Sequence, residues 1–327
     1  MIKSVGISRT WAAAVQRYSI VVMLVVVAVF FSVVSKPFFS YTNLTNILLQ
    51  GAATSIAAMG MTYVIITSDI DISIGSLMSL AMTVAWIAAV EPGAGAGEKA
   101  AVGALVYPVG LLMGLALGLL NGLIINGLKI NPMIATLATM NAYRGIAWKM
   151  VGSSDKPFSD SAVLYLARTE VFGIGLPVYV MILCFIIAGI GLQRTAVGRY
   201  LYAIGGSRRS AIETGLPVAR LRLVAYGILG LCVALAGLIT IGRVGTLQAG
   251  LGVNFEFTVI AAVVLGGTSM FGGRGSIFGS VLGALLLVVI DNGLNMMNAS
   301  VYIYDVVKGV ILIFAVVVDV VLTRLSE

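Results

Sequence analysis

Two carboxylates stand two residues apart in TSDIDISIGS, where Asp69 and Asp71 interrupt long apolar runs. Acids in an apolar setting are costly and default to a function: coupling an ion, hydrogen-bonding a polar solute, or capping a helix whose first N–H groups need acceptors. Ser73 and Gly75 continue their register, and Ile70, Ile72 and Ile74 occupy the other. A period of two marks extended chain, and extended backbone at membrane depth persists only where it is buried in protein or borders a water-filled cavity. Aspartyl proteolysis does not fit, because it needs acids converging from separate elements. The 327-residue chain has no histidine, which removes Ser–His and Cys–His nucleophilic pairs and histidine metal sites. Cys184 and Cys232 lie in apolar runs without metal-type spacing and read as small core residues. No metal site is expected.

A second interruption, LGGTSMFGGRGSIFGS, carries Thr268 and Arg274. Gly75-Ser76-Leu77 matches Gly275-Ser276-Ile277 in type and order. Paired Gly-interrupted apolar segments in the two halves of a membrane chain point to a transport site. The candidates for lining a translocation path are therefore Asp69, Asp71, Ser73, Gly75, Thr268 and Arg274. Asp71 and Ser73 suit capping of the next helix and path lining equally. Asp69 lies nearer the cytoplasmic end. Arg274 suits a structural role, closing the preceding helix or pairing with an acid.

The elements that position these residues are membrane helices. Hydrophobic residues make up 60% and charged residues 10% of the chain, and mean hydropathy is +1.07, far from the roughly 25% charged of a soluble domain. Apolar runs near 18–34, 44–67, 74–90, 101–128, 132–150, 176–192, 223–241, 256–268, 276–290 and 303–322 predict about ten transmembrane helices, broken near 67–76 and 267–276. The whole chain, 1–327, reads as one all-α integral membrane domain. The first run is too long for a signal-peptide core and reads as an uncleaved span.

A formal charge of +7 reports topology here and implies no nucleic acid partner. Segment 193–222 holds Arg194, Arg199, Arg208, Arg209, Arg220 and Arg222 against Glu213 alone, so it is placed in the cytoplasm. Counting back through six spans, and the basic Lys3, Arg9 and Arg17, put the N-terminus inside. Arg324 agrees for the C-terminus. The acidic EPGAGAGEK loop and the 152–175 stretch, with Asp155, Asp160 and Glu170, fall outside. Glycines at 110, 114, 118 and 122 make a ladder along one helix face, which close helix packing explains better than path lining.

TSDIDISIGS, NPMIATLATMNAYRGIA at 131–147, GRYLYAIGGSRRSAIETGLPVARLR at 198–222, NFEFTVIAAVVLGGTSMFGGRGSIFGSVLGALLL at 254–287 and the terminal 292–319 stretch follow one another in order. Together, over about 40–320, the chain resembles the membrane permeases of ribose-type monosaccharide ABC importers. The resemblance implies a cytoplasmic ABC ATPase, a periplasmic or extracellular solute-binding protein and a second permease copy as partners. It also implies an inner-membrane location with both termini cytoplasmic. No GxxxxGK[ST] phosphate loop occurs, so no cofactor is expected in this chain and ATP would be bound by the partner. The stretch around Arg208, Arg209, Ala211, Glu213, Gly215 and Pro217 is similar to a shortened coupling loop. A short helix from Arg208 to Thr214, stopped by Gly215 and Pro217, would offer the ATPase a rigid knob. Where the family commonly has two glycines this chain has Ser68 and Asp69, and where it has an acid followed by Leu-Asp this chain has Glu256, Phe257 and Thr258. A branched-chain amino-acid ABC permease shares this layout. An ion-coupled secondary transporter would instead make Asp69 or Asp71 its coupling carboxylate.

Overall fold

A computed structural model describes residues 9–90, 102–152, 154–158, 162–300, 302–304, 306–311, 313 and 317. Lys3, the EPGAGAGEK loop, Asp160, Arg324 and the end of the last apolar run lie outside the described residues. Where described, the apolar runs are mainly helical. In chain order the helices are α1 (Arg9–Val34), α2 (Tyr41–Ile66), α3 (Ile74–Ala89), α4 (Val106–Leu128), α5 (Pro132–Val151), α6 (Ala162–Arg168), α7 (Leu176–Arg194), α8 (Ala196–Gly206), α9 (Arg208–Glu213), α10 (Val218–Val244), α11 (Phe255–Leu265) and α12 (Ile277–Met296). Residues 302–304 and 306–311 are helical too. Among the described residues, strands amount to two two-stranded ribbons in the loops.

Helix ends follow local chemistry. Ser40, Asn131, Thr195, Ser207 and Ser276 each accept a backbone N–H of the first turn of α2, α5, α8, α9 and α12, supplying acceptors that the helix lacks. Gly245 ends α10 in the left-handed conformation at φ 76°, where a side chain would be strained.

Five described helices, α2, α4, α7, α10 and α12, are long and apolar enough to cross a membrane. The run expected as a full span at 256–268 is shorter: α11 has 11 residues, about 16 Å at 1.5 Å per residue, roughly half of a ~30 Å hydrocarbon layer. It begins inside the bundle because the loop before it turns inward. Trp148 Nε1 donates to Ala249 O at 2.8 Å, and one turn along α5 Arg144 donates to Leu251 O at 2.7 Å and Gly252 O at 3.2 Å. Gly252 then lies against Gly75 with no room for a Cβ on either residue.

The centre is α2, buried along most of its length, while α1 and α7 turn Val22, Val26, Val33, Leu183, Ile187 and Ile190 outward, as a lipid-facing layer requires. Helices α2 and α12 run antiparallel. Asn43 and Asn292 exchange amide hydrogen bonds at 2.9 and 2.8 Å at one end, Thr62 donates to Ser280 at 2.7 Å in the middle, and Gly273 N donates to Ile66 O at 2.9 Å at the other end. The glycine ladder of α4 packs on α10: Gly114 meets Gly230 and Ala234, Gly118 meets Tyr226 and Gly230, and Gly122 meets Leu223. The packing reading of that ladder stands.

Candidate functional site

The first interruption spans residues 67–73, three shorter than expected, and Gly75 is already inside α3. Ser68 holds φ 63°, a left-handed conformation that costs a side-chain-bearing residue roughly 1–2 kcal/mol. This is the position where the resembled family has glycine. The hydroxyl offsets part of the strain, donating to Phe271 O at 2.6 Å and Gly205 O at 3.3 Å.

Asp69 and Asp71 have different surroundings. The Asp69 carboxylate receives Arg222 Nε at 2.6 Å, and both side chains are 3% exposed. Arg222 Nη1 donates to Asn126 Oδ1 at 3.1 Å, while Nη2 is buried without an acceptor. Asp71 is fully buried and has no cation beside it. Its Oδ1 accepts Ser73 N and Ser73 Oγ, each at 2.7 Å, and its Oδ2 accepts Asn121 Nδ2 at 2.9 Å. Asn121 also donates to Ser73 Oγ at 2.8 Å and accepts from Tyr143 OH at 2.9 Å. Ser73 occupies the N-cap position of α3, but its side chain accepts no helix N–H. Capping of α3 by the Ser73 hydroxyl is therefore corrected: the hydroxyl points back to Asp71 and closes a local turn. Charge at Asp71 is met by neutral donors, the arrangement a buried carboxylate needs when no partner ion is present.

The second interruption lies beside the first. Thr268 is buried, its hydroxyl 3.5 Å from Ser280 Oγ. Arg274 is exposed, and its carbonyl accepts Ser269 N at 3.0 Å. Ser276 caps α12 through Gly279 N at 3.0 Å. The matching starts of α3 and α12 are thus Ser73 and Ser276, three residues off the Gly75–Gly275 register that composition picks out.

Segment 193–222 forms α8, α9 and the start of α10. Helix α9 covers Arg208–Glu213, and Gly215 follows at φ 80°, so the short helix with a glycine stop is found as expected. Ala211 is buried, and Arg208, Arg209, Ile212, Glu213 and Pro217 face outward. The Arg209–Glu213 contact at 2.9 Å is between exposed groups and contributes ~0.3–0.5 kcal/mol. Helix α8 reaches both interruptions. A Cβ on Gly205 would overlap Ile66 O and Gly273 N, and Tyr202 OH donates to Gly275 O at 2.7 Å.

Sequence reasoning brought together the two interruptions and segment 193–222 without showing that they touch. It passed over Arg222, counted only as a loop charge, and over Asn121 and Tyr143. Two of them carried a signal: Arg222 and Asn121 are polar residues at the edge of or within an apolar run, and an intramembrane acid requires a partner.

These features define a polytopic helical membrane protein with paired broken helices, of the transport class. The chain belongs to the family described as branched-chain amino acid transport system / permease component, whose model matches residues 43–316. As a permease component it is a transport subunit and carries no ATPase site of its own. It is 37% identical over 317 residues to the ribose import permease of Escherichia coli (strain K12), covering 95% of each chain. It is 35% identical over 303 residues to that of Bacillus subtilis (strain 168), covering 90% of each. It is 32% identical over 324 residues to the L-arabinose transport system permease of Escherichia coli (strain K12), covering 97% of this chain and 93% of the relative. No solved structure matches significantly.

Proposed function

We propose that this chain, as a single permease domain of about ten crossings, passes a monosaccharide of pentose or hexose type across the inner membrane. In this reading it alternates access under the drive of a separate ABC ATPase. The ATPase docks on segment 193–222, a soluble binding protein delivers the sugar on the other side, and a second permease copy completes the assembly. Both termini are then cytoplasmic, and ATP is the partner's ligand. Asp69, Asp71, Ser73, Gly75, Thr268 and Arg274 form the moving polar junction of the path. The names of the relatives, which carry ribose and L-arabinose, support the solute class over the amino acids in the family's description.

The observation that carries the mechanism is the contact of α8 with both interruptions, through Ser68 to Gly205 and Tyr202 to Gly275. A push on the exposed α9 knob reaches both breaks through α8, whose Gly205 backbone also lies directly against Ile66 O and Gly273 N. The test is to reconstitute the permease with its ATPase and binding protein and to replace Glu213 by Ala and Gly215 by Val. Loss of D-ribose-stimulated ATP hydrolysis with the permease still folded is expected. Full stimulation in both variants refutes docking here. Uptake that survives ATP depletion and is abolished by an uncoupler would move the chain to ion-coupled transport.

A further inference from the structure

Helices α2, α3, α10, α11 and α12 line an open-sided cavity of about 310 Å³, within the ~300–1,000 Å³ of small-molecule sites. It lies toward the end of the bundle remote from segment 193–222. Gln50 in its wall precedes Ile66, the α2 residue that meets Gly273, by 16 positions, about 24 Å along the helix. None of the six path candidates lines it.

Its wall is rich in polar side chains, set among Met78, Val253, Phe255 and Val288. Gln50, Thr54, Thr240, Arg243, Asn254 and Thr258 all line it. The Thr54, Thr240 and Thr258 hydroxyls donate to carbonyls one turn back in their own helices, at 3.3, 2.7 and 3.5 Å. Their lone pairs remain as acceptors, and the two amides add both kinds of group. Arg243 makes no hydrogen bond or ion pair among the described residues and supplies a fork of donors. Asp291 and Lys308, also in the wall, are paired with each other at 2.9 Å. A zwitterionic amino acid would gain most from a carboxylate opposite its ammonium group, and the acid of this wall is already engaged by Lys308. A polyhydroxylated solute, each hydroxyl both donor and acceptor, matches a mostly neutral mixed wall with one guanidinium.

The cavity's inner boundary is also defined. Gly252 lines it, and the Gly252 backbone lies on Gly75 at the start of α3, next to the Asp71 cluster. Thr258, where the chain departs from the Leu-Asp pattern of the family it resembles, faces the cavity from α11.

We propose that this cavity is the chamber in which the permease first holds its solute, a neutral polyhydroxylated molecule contacted by Thr258 and Arg243. This rests on the importer reading above. The test uses the reconstituted complex with Thr258→Cys in a Cys184→Ala/Cys232→Ala background, exposed to a membrane-impermeant thiosulfonate from the binding-protein side. Modification is expected, slowed about tenfold by D-ribose at roughly ten times its Kd and not slowed by L-leucine. In a second variant, Arg243→Gln, the apparent KM for D-ribose rises about tenfold, the equivalent of 1.4 kcal/mol, with a smaller fall in maximal rate. Protection by L-leucine alone overturns the solute class. Unprotected modification together with an unchanged KM in Arg243→Gln, in complexes that still take up D-ribose with ATP, overturns the chamber and leaves the importer reading intact. Absence of ATP-driven D-ribose uptake by the unmodified protein overturns the importer reading itself.

Discussion

Replacing Arg222 by Met removes the cation from Asp69 and leaves a carboxylate that is 3% exposed. At the observed 2.6 Å, Coulomb's law with an effective dielectric constant of ~20 gives an attraction of about 6 kcal/mol. Desolvation of two buried ions takes back several kcal/mol, so the intact pair contributes little net stability. The single variant keeps the desolvation and loses the attraction, for an expected cost of ~3–5 kcal/mol. Asn126 also loses the donor it accepts from at 3.1 Å, which adds to the cost. Asp69→Asn combined with Arg222→Met removes both charges and recovers most of the stability, a coupling of at least ~2 kcal/mol. Equilibrium unfolding of all four members of the cycle in mixed micelles, followed by far-ultraviolet circular dichroism, reads these differences directly. A coupling near the ~0.6 kcal/mol typical of hydrogen bonds between membrane helices would refute the buried ion pair and return Asp69 to a water-facing role.

Three further outcomes are expected of the same unfolding assay. Gly75→Ala forces α3 away from Gly252 and Glu256, where a Cβ has no space, and costs more than ~2 kcal/mol; Gly127→Ala, with nothing within 4 Å of its Cβ, stabilises α4 by ~0.5–1 kcal/mol. Ser276→Ala removes the cap on Gly279 N and costs ~1 kcal/mol, whereas Ser73→Ala disturbs the Asp71 cluster and costs more. Asn292→Leu breaks a reciprocal amide pair at 2.8 and 2.9 Å and strands a buried Asn43, for ~1–3 kcal/mol.

Most of the helices were legible because twenty-residue apolar runs and N-cap residues are local signals. So was the first interruption, because Asp69, Asp71 and Ser73 break the helical period within five residues. The length of α11 was not legible. It starts within one residue of the start of its apolar run and stops three residues before the end of that run, at Gly266 and Gly267 (φ 84°); the depth at which it starts is set by the inward loop held by Arg144 and Trp148, contacts over a hundred positions apart. In sequence Asp69 differed from Asp71 only in lying nearer the cytoplasmic end and in standing where the resembled family has glycine. Their separation into an ion pair with Arg222 and a neutral cluster with Asn121 depends on α10 and α4, brought together by a glycine ladder that says where helices touch and not which polar groups face them.

The three-way contact of α8 with the two interruptions constrains how any motion of segment 193–222 is transmitted. Gly205 sits on the Ile66 carbonyl and the Gly273 N–H with no side chain between them, and Gly273 N is itself bonded to Ile66 O at 2.9 Å. Side chains take up displacement by changing rotamer, while glycine backbone in direct contact has no such slack. A rigid-body shift of α8 therefore moves the end of α2 and the segment before α12 together. The next elements along the chain are α3, which begins at the Asp71 cluster and touches Gly252, and α12, which walls the cavity at the other end of the bundle. A displacement of α8 is thereby delivered toward the Gly75–Gly252 contact at the cavity's boundary, and the short helices α3 and α11 are the elements whose tilt would open it.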